Sequence, residues 1–299
     1  MQKLLRRLPF MPSPRPLVTV IDLNGAIGSS DFGRGISLSK VRSAIEAAFK
    51  PDELSAVAIS INSPGGSPVQ SRLIFSAIRS QADKKKVPVY SFIEDVGASG
   101  GYILALAGDT IVADDSSIVG SIGVISSGFG FVDAIGRLGV ERRVHTAGSN
   151  KSQLDPFKPQ DPEDLQRLQS ILDDLHEQFV GLVKERRGDK LATEYDDTFS
   201  GAFWTAGLAK KRGLIDQIGH LDDFMKTKFG EKVKVKRVSQ KRSSLLQTLL
   251  GSARTSPSVQ ADRLAPSNTG DAGVALFNSR EVMTTLAELE LWSRFRIGR

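Results

Sequence analysis

With 299 residues, 40% of them hydrophobic and 25% charged, the chain has the make-up of an ordinary soluble protein, long enough for one large or two small cored domains. Cysteine is absent, which excludes a disulfide framework and a thiolate metal site. The net charge of +6 (pI about 9.5) gathers largely at Lys3, Arg6 and Arg7 and in the run Lys232 to Arg242, and no nucleic-acid motif accompanies it, so nucleic acid is not an expected partner.

Residues 1–16 read as a flexible arm, in which Pro9, Pro12, Pro14 and Pro16 interrupt any signal-peptide core. No apolar run reaches the roughly 20 residues needed to span a bilayer. Leu17 to Leu23 is a strand candidate, followed by a Gly/Ser loop from Gly25 to Gly35. Leu38, Val41, Ile45 and Phe49 have helical spacing. Ala56 to Ile61 is a second buried strand, and Asn62 to Ser67 a turn. The next helix is expected to bury Val69, Leu73, Ile74 and Ile78, and it closes on Lys84-Lys85-Lys86, where cations suit a helix C-terminus. Val87 to Ile93 is the third strand, and Tyr102 to Ala107 a helix packed on all sides. This β–α–β–α–β order implies parallel strands with right-handed crossovers.

Beyond it, Thr110 to Ala113, Val119 to Ile125 and Arg142 to Thr146 read as strands, and Phe131 to Leu138 as a short helix. Ala147 to Pro162 is a loop carrying Lys151. Leu165, Leu168, Leu172, Leu175, Phe179 and Val183 mark a long amphipathic helix. Trp204 to Lys211 and Leu221 to Phe229 are predicted helices. Lys232 to Lys236 alternates with period two, as a lysine-guarded edge strand would. Gly251 to Gly273 has linker composition, and Arg280 to Phe295 reads as a last helix.

The chemistry converges on Asp95-Val96-Gly97-Ala98-Ser99-Gly100-Gly101-Tyr102, which puts Ser99 on a strand-to-helix turn between glycines. Glycine permits the sharp turn and a close approach by substrate, and first-turn N–H groups can receive an oxyanion. Ser99 is therefore either a nucleophile or an ordinary N-cap. Adjacent parallel strands finish at one edge, so N–H groups of Gly66 and Gly100 could form an oxyanion hole. The base stays open. His176 is expected to face solvent, His220 lies in a turn before a helix, and His145 lies in a predicted strand. A lysine can serve if burial lowers its pKa, yet Lys151 alone reads as a surface residue.

The ordered set is more specific than its parts. Ile61-Asn62-Ser63-Pro64-Gly65-Gly66-Ser67, Ala98-Ser99-Gly100-Gly101-Tyr102, Val119-Gly120-Ser121-Ile122-Gly123-Val124, His145-Thr146-Ala147-Gly148 leading to Lys151, and Gly207-Leu208-Ala209 through Gly213-Leu214-Ile215-Asp216 follow in order. In these the chain resembles the signal peptide peptidase A and SohB group of serine–lysine proteases, within the Clp protease/crotonase superfamily. The resemblance covers residues 17–238. It implies an α/β fold with a parallel sheet of repeated β-β-α type units and flanking helices. It also implies Ser99 as nucleophile, Lys151 as general base, Ser121 holding the lysine amine, and Gly66 and Gly100 as oxyanion donors. No cofactor or metal is required. In the family the dyad forms where protomers meet in a bowl-shaped homo-oligomer, so a homo-oligomer acting on unfolded proteins or short apolar peptides is expected.

Most members carry a membrane anchor and this chain shows none, so a cytoplasmic location or a peripheral one at a bacterial inner membrane is expected. Lys241 to Leu250 joins basic residues to leucines and either touches an anionic membrane surface or packs as a short helix. The last helix is expected to pack on a neighbouring protomer. Two rival readings share the fold, a crotonase-like acyl-CoA enzyme and a non-catalytic scaffold. The joint presence of Ser99, Lys151 and Ser121 counts against both. A Ser–His protease using His145 is a third.

Overall fold

The computed structural model describes residues 15–28 and 35–238, where eight strands form one mostly parallel sheet. Strands β1 (Leu17–Asn24), β2 (Leu54–Ser63) and β3 (Val89–Ala98) run in parallel. Helices α1 (Leu38–Phe49) and α2 (Pro68–Lys85) connect them. Strand β3 then changes partner. Tyr90 to Ile93 pair with β4 (Thr110–Ala113), and Val96 to Ala98 pair with β5 (Ile118–Gly120). Glu94 and Asp95, at the changeover, are exposed. Strand β5 is closed by antiparallel β6 (Phe203–Thr205), and β4 by β7 (Gln217–Ile218). Strand β8 (Lys234–Arg237) ends the sheet beside β1 with Lys234 and Lys236 exposed, as its alternation predicts.

Both sheet faces are buried. Val18, Val20, Ala56, Ala58, Tyr90, Phe92 and Val112 pack beneath Met225 of α7 (Leu221–Phe229). Ile21, Leu23, Val57, Ile59, Ile61 and Ile93 face the other side, with α3 (Gly100–Ala105) and the end of α5 (Pro162–Arg187) in the same core. Burial on two sides is why these strands read as unbroken apolar runs. All six residues of α3 are buried, as its all-round apolar sequence predicts.

Several local expectations are corrected. In α2 the buried row is Ser71, Ile74, Ile78 and Ala82, while Val69 is 64% exposed and Leu73 is also exposed. Leu73 lies about 100° round the helix from Ile74, which takes it off the core face. The strand expected over Val119 to Ile125 stops at Gly120, because Gly120 (φ +116°) and Ser121 (φ +53°) leave extended geometry. The predicted helix from Trp204 begins two residues later: Phe203 to Thr205 pair with β5, and α6 (Ala206–Lys211) follows. Arg142 to Thr146 form no strand, and no segment among the described residues pairs with them. The short helix α4 (Val132–Arg137) is present, with no buried residue. The basic segment Lys241 to Leu250, the linker and the last helix lie outside the described residues.

The Gly213-Leu214-Ile215-Asp216 motif fastens the core behind α3. Gly213 has φ +75°, and a Cβ there would stand 1.8 Å from the Lys190 carbonyl oxygen. Asp216 accepts bonds from buried Arg187 (2.9 and 3.1 Å), from Lys190 Nζ (2.8 Å) and from the Ile111 N–H (2.7 Å). The buried Tyr102 hydroxyl donates to the Leu214 carbonyl at 2.7 Å. Burial alone would raise the Asp216 carboxyl. The hydrogen bonds from Arg187, Lys190 and Ile111, with the Arg187 charge, outweigh it and hold the pKa below the ordinary carboxylate value.

A carboxyl depressed in the folded state binds fewer protons there than in the unfolded chain. Its contribution is therefore present above about pH 4, the unfolded value, and is lost as pH falls through the lower folded value. Asp216→Asn should destabilise by about 3–5 kcal/mol, because it strands the buried Arg187 cation. It should also flatten the acid limb of stability. Urea midpoints measured between pH 3 and pH 7 check both, and an unchanged acid limb would contradict the assignment.

Candidate active site

Ser99 lies between β3 and α3. Its N–H donates to the Gly120 carbonyl at 2.8 Å, which ties it to β5. Its carbonyl accepts from the Tyr102 and Ile103 N–H groups at 2.9 and 3.2 Å, which places it at the N-cap. Its hydroxyl, however, makes no capping bond, and its backbone sits at φ +53°, ψ −122°. A non-glycine residue held there costs about 1–3 kcal/mol and persists only where its neighbours over-determine it. Ser99 thus occupies the N-cap position without its hydroxyl capping the helix.

The turn after β2 comes up against this one. A Cβ on Gly65 would stand 2.7 Å from the Ser99 Cβ and 2.9 Å from the Gly100 nitrogen. One on Gly100 would stand 3.3 Å from the Gly66 nitrogen and 2.5 Å from Ser71 Oγ. Gly66 itself has φ +137° and is bridged to Ile27. That bridge uses the Gly65 carbonyl and the Ser67 N–H, each at 2.7 Å, and leaves the Gly66 N–H out. The two expected oxyanion donors therefore meet beside the Ser99 side chain.

Ser121 is the third member. It too has a left-handed φ of +53°. Its N–H donates to Ala202 O at 2.7 Å and its carbonyl accepts from the Gly123 N–H at 3.0 Å. Just before it, Gly120 must lack a side chain, since a Cβ would meet the Trp204 ring at 2.7 Å. Ser99, Ser121, Gly66 and Gly100 all line one open cleft of about 450 Å³. Its walls are apolar or small: Pro64, Pro68, Ile103, Val124 and Ile125, with Leu175 and Phe179 from α5. Arg72 is the one charged residue among the described residues that line it. Among the described residues no group of His, Asp or Glu is placed to hold a metal ion.

Lys151 does not line this cleft. It lies exposed in a turn, its N–H on the Gly148 carbonyl at 3.3 Å. The segment around it, from Ile125 to Asp161, is a self-organised lobe. Asp155 accepts from Arg142 Nε and the Phe157 N–H, each at 3.0 Å. Phe131 stacks on Phe157 at 5.4 Å, and the Arg142 guanidinium caps that ring at 4.9 Å. The lobe keeps apolar side chains outside: Phe129 is 71% and Leu138 77% exposed, and Val140 and Ile125 are exposed as well.

The histidines also take definite places. His145 is exposed in irregular chain and does not line the cleft. His220 is the N-cap residue of α7, 3.6 Å from Asp114. His176 does not simply face solvent. It is half-buried, with Nε2 3.2 Å from the Ile122 carbonyl, next to Ser121. Sequence reasoning missed His176, Arg72 and the α5 wall. The helical stripe placed Leu175 and Phe179 in a core, and nothing in it marked that core as one side of a cleft.

A model of peptidase family S49 matches residues 81–236. The chain is 45% identical over 280 residues, 93% of its length, to a protein of Brucella abortus named a Na(+)/H(+) antiporter NhaA, and it spans 36% of that protein's length. It is 33% identical over 216 residues to a putative protease of Synechocystis sp., covering 72% of this chain and 74% of that one. It is 30% identical over 168 residues to a putative signal peptide peptidase SppA of Enterococcus faecium, covering 56% of this chain and 48% of that one.

The His176 bond ties α5 to the turn that carries Ser121. His176→Ala should raise amide exchange over 121–123 by about 2- to 10-fold, as loss of one hydrogen bond of about 0.5–1.5 kcal/mol would. His176→Gln, whose amide nitrogen can stand in for Nε2, should restore protection. Equal exchange in the wild type and both variants would show that the bond does not hold the turn.

Proposed function

Because this chain belongs to peptidase family S49, we propose that it is a serine endopeptidase that cleaves unfolded or short apolar peptides through Ser99 and Lys151. One observation carries the reading: the strained Ser99 turn opens into a cleft beside the N–H groups of Gly66 and Gly100. A neutral lysine amine takes the Ser99 proton as Oγ attacks the peptide carbonyl, and the N–H groups hold the oxyanion. The lysine then protonates the leaving amine, and water, deprotonated in turn, releases the acyl group. Ser121 steadies the amine. The apolar cleft wall favours apolar side chains next to the scissile bond.

Lys151 reaches this chemistry from a neighbouring copy of the chain. Its exposure in a segment with no buried residue supports that, as do the exposed apolar residues of that segment and the exposed Val69 and Leu73 near the cleft. A homo-oligomer is then part of the catalytic unit. The similarity to a Brucella protein named a Na(+)/H(+) antiporter supports an association with an antiporter. No helix of the described residues is itself long and apolar enough to cross a membrane.

Ser99→Ala and Lys151→Ala should each lower kcat/KM on a leucine-containing peptide by about 10³-fold or more, and the double variant should be no worse, as for residues that act as a unit. Mixing the two single variants before assembly should restore part of the rate, because some interfaces then pair an intact serine with an intact lysine. Robust cleavage by Lys151→Ala would overturn the dyad. An active wild type with no recovery on mixing would place the dyad inside one protomer.

A lysine base acts only as the neutral amine, so the rate should climb with pH from the acid side. A pH–rate profile with its optimum near pH 5 would contradict it, and so would a loss in His145→Gln as large as that in Lys151→Ala.

A further inference from the structure

Helix α2 brings more than packing to the cleft. Its first turn is pinned: Ser67 accepts from the Gln70 N–H, Ser71 Oγ donates to the Ser67 carbonyl at 2.8 Å, and Ser71 is buried against Gly100. Arg72 follows Ser71 directly, so its backbone is fixed close to the expected oxyanion donor, while its side chain is exposed and lines the cleft. The helix's other interior arginine, Arg79, is engaged with Asp83 (2.6 Å), Asp109 (2.8 Å) and the Ala107 carbonyl (3.1 Å). Arg72 has no ion pair or hydrogen bond among the described residues, and no acidic residue among them lines the cleft. The positive end of the α2 dipole lies at the same place. A guanidinium anchored through its backbone at a cleft with no other charged lining residue among those described, and with no bond of its own, selects a planar anion that it can grip with two N–H groups.

On the reading that the cleft binds peptide for hydrolysis, we propose that Arg72 forms a subsite for a carboxylate of the substrate, borne close to the scissile bond. Two sources present this group, an aspartate or glutamate side chain and the free C-terminus of a short peptide. The subsite makes the enzyme prefer apolar peptides that also bear one negative charge near the cut. It matches products of earlier proteolysis if the C-terminus is what binds, and acidic positions in longer chains if the side chain binds.

The test uses the full chain and leucine-containing peptides with Glu, Gln or Lys placed in turn at three positions on either side of the cut, each with a free or an amidated C-terminus. The wild type should favour Glu over Gln at one position, or acid over amide at the C-terminus, by about 2- to 5-fold in kcat/KM, the range of an exposed ion pair. The preference should shrink at high salt. In Arg72→Gln the ratio should fall to one, and in Arg72→Glu it should invert in favour of Lys. The same ratios read as Kd by fluorescence anisotropy on Ser99→Ala keep the subsite testable apart from turnover. Carboxylate-selective binding without any hydrolysis by the wild type would sustain the subsite and overturn the peptidase reading. A ratio of one in the wild type, or one unchanged in Arg72→Gln, overturns the subsite. So does a pH–rate profile displaced upward in Arg72→Gln at an unchanged ratio, which would make Arg72 a charge acting on the lysine base.

Discussion

The site rests on two backbone turns that meet with no side chain between them. The β2 turn puts Gly65 against Ser99, and the β3 turn puts Gly100 against Ser71 and Gly66. One residue further on, a Cβ on Gly101 would stand 2.4 Å from the Ser63 carbonyl oxygen. The contacts with Ser99, Ser71 and Ser63 are closer than a Cβ tolerates, so Gly65, Gly100 and Gly101 are needed for the approach itself. Parallel strands β2 and β3 end at one sheet edge, and this lets the turns meet there. The approach is held from behind by the bond from Tyr102 to Leu214 and by the Arg187–Asp216 pair, which anchor α3 in a closed core.

Strain is the counterpart of that approach. Ser99 and Ser121 both adopt left-handed φ values, and both are clamped through their own N–H groups, to Gly120 and to Ala202. The two strained serines follow the ends of paired strands, β3 and β5. One short ladder therefore sets the positions of both hydroxyl-bearing residues relative to the cleft. Helix α5 completes the enclosure with Leu175 and Phe179, and its His176 reaches the turn of Ser121.

The molecule divides its polarity unevenly. The cleft is neutral apart from Arg72, while the lobe bearing Lys151 is held by its own ring stack and the Asp155 bonds and turns apolar side chains outward. Large apolar groups left in water carry a cost that docking on another surface removes. A segment that is ordered within itself but unburied suits docking on another surface, and the proposed supply of Lys151 by a neighbouring copy rests on that.

Much of the fold was legible in the chain. The runs at Leu17, Ala56 and Val87, with helical spacing between them, define parallel strands buried on both faces, and the Gly-Ala-Ser-Gly-Gly segment marks the turn that carries Ser99. Ser99, Gly66 and Gly100 could be singled out because each lies in a turn at a strand end whose geometry follows from its own residues, whereas Ser121 and Lys151 came only from the family resemblance. Other features depended on partners distant in sequence. Whether Arg142 to Thr146 became a strand depended on a neighbour that the described residues do not supply, and Val69 and Leu73 left the core because the packing of α2 chose the row through Ile74. His176 and Arg72 gained meaning only from what folded opposite them. Local sequence determined the turns, the periodicities and the candidate nucleophile, because these are set by backbone sterics and side-chain chemistry within a few residues. Only the tertiary structure decided which of those groups share a cleft and which, like Lys151, stand outside it, because that depends on long-range packing that no local pattern encodes.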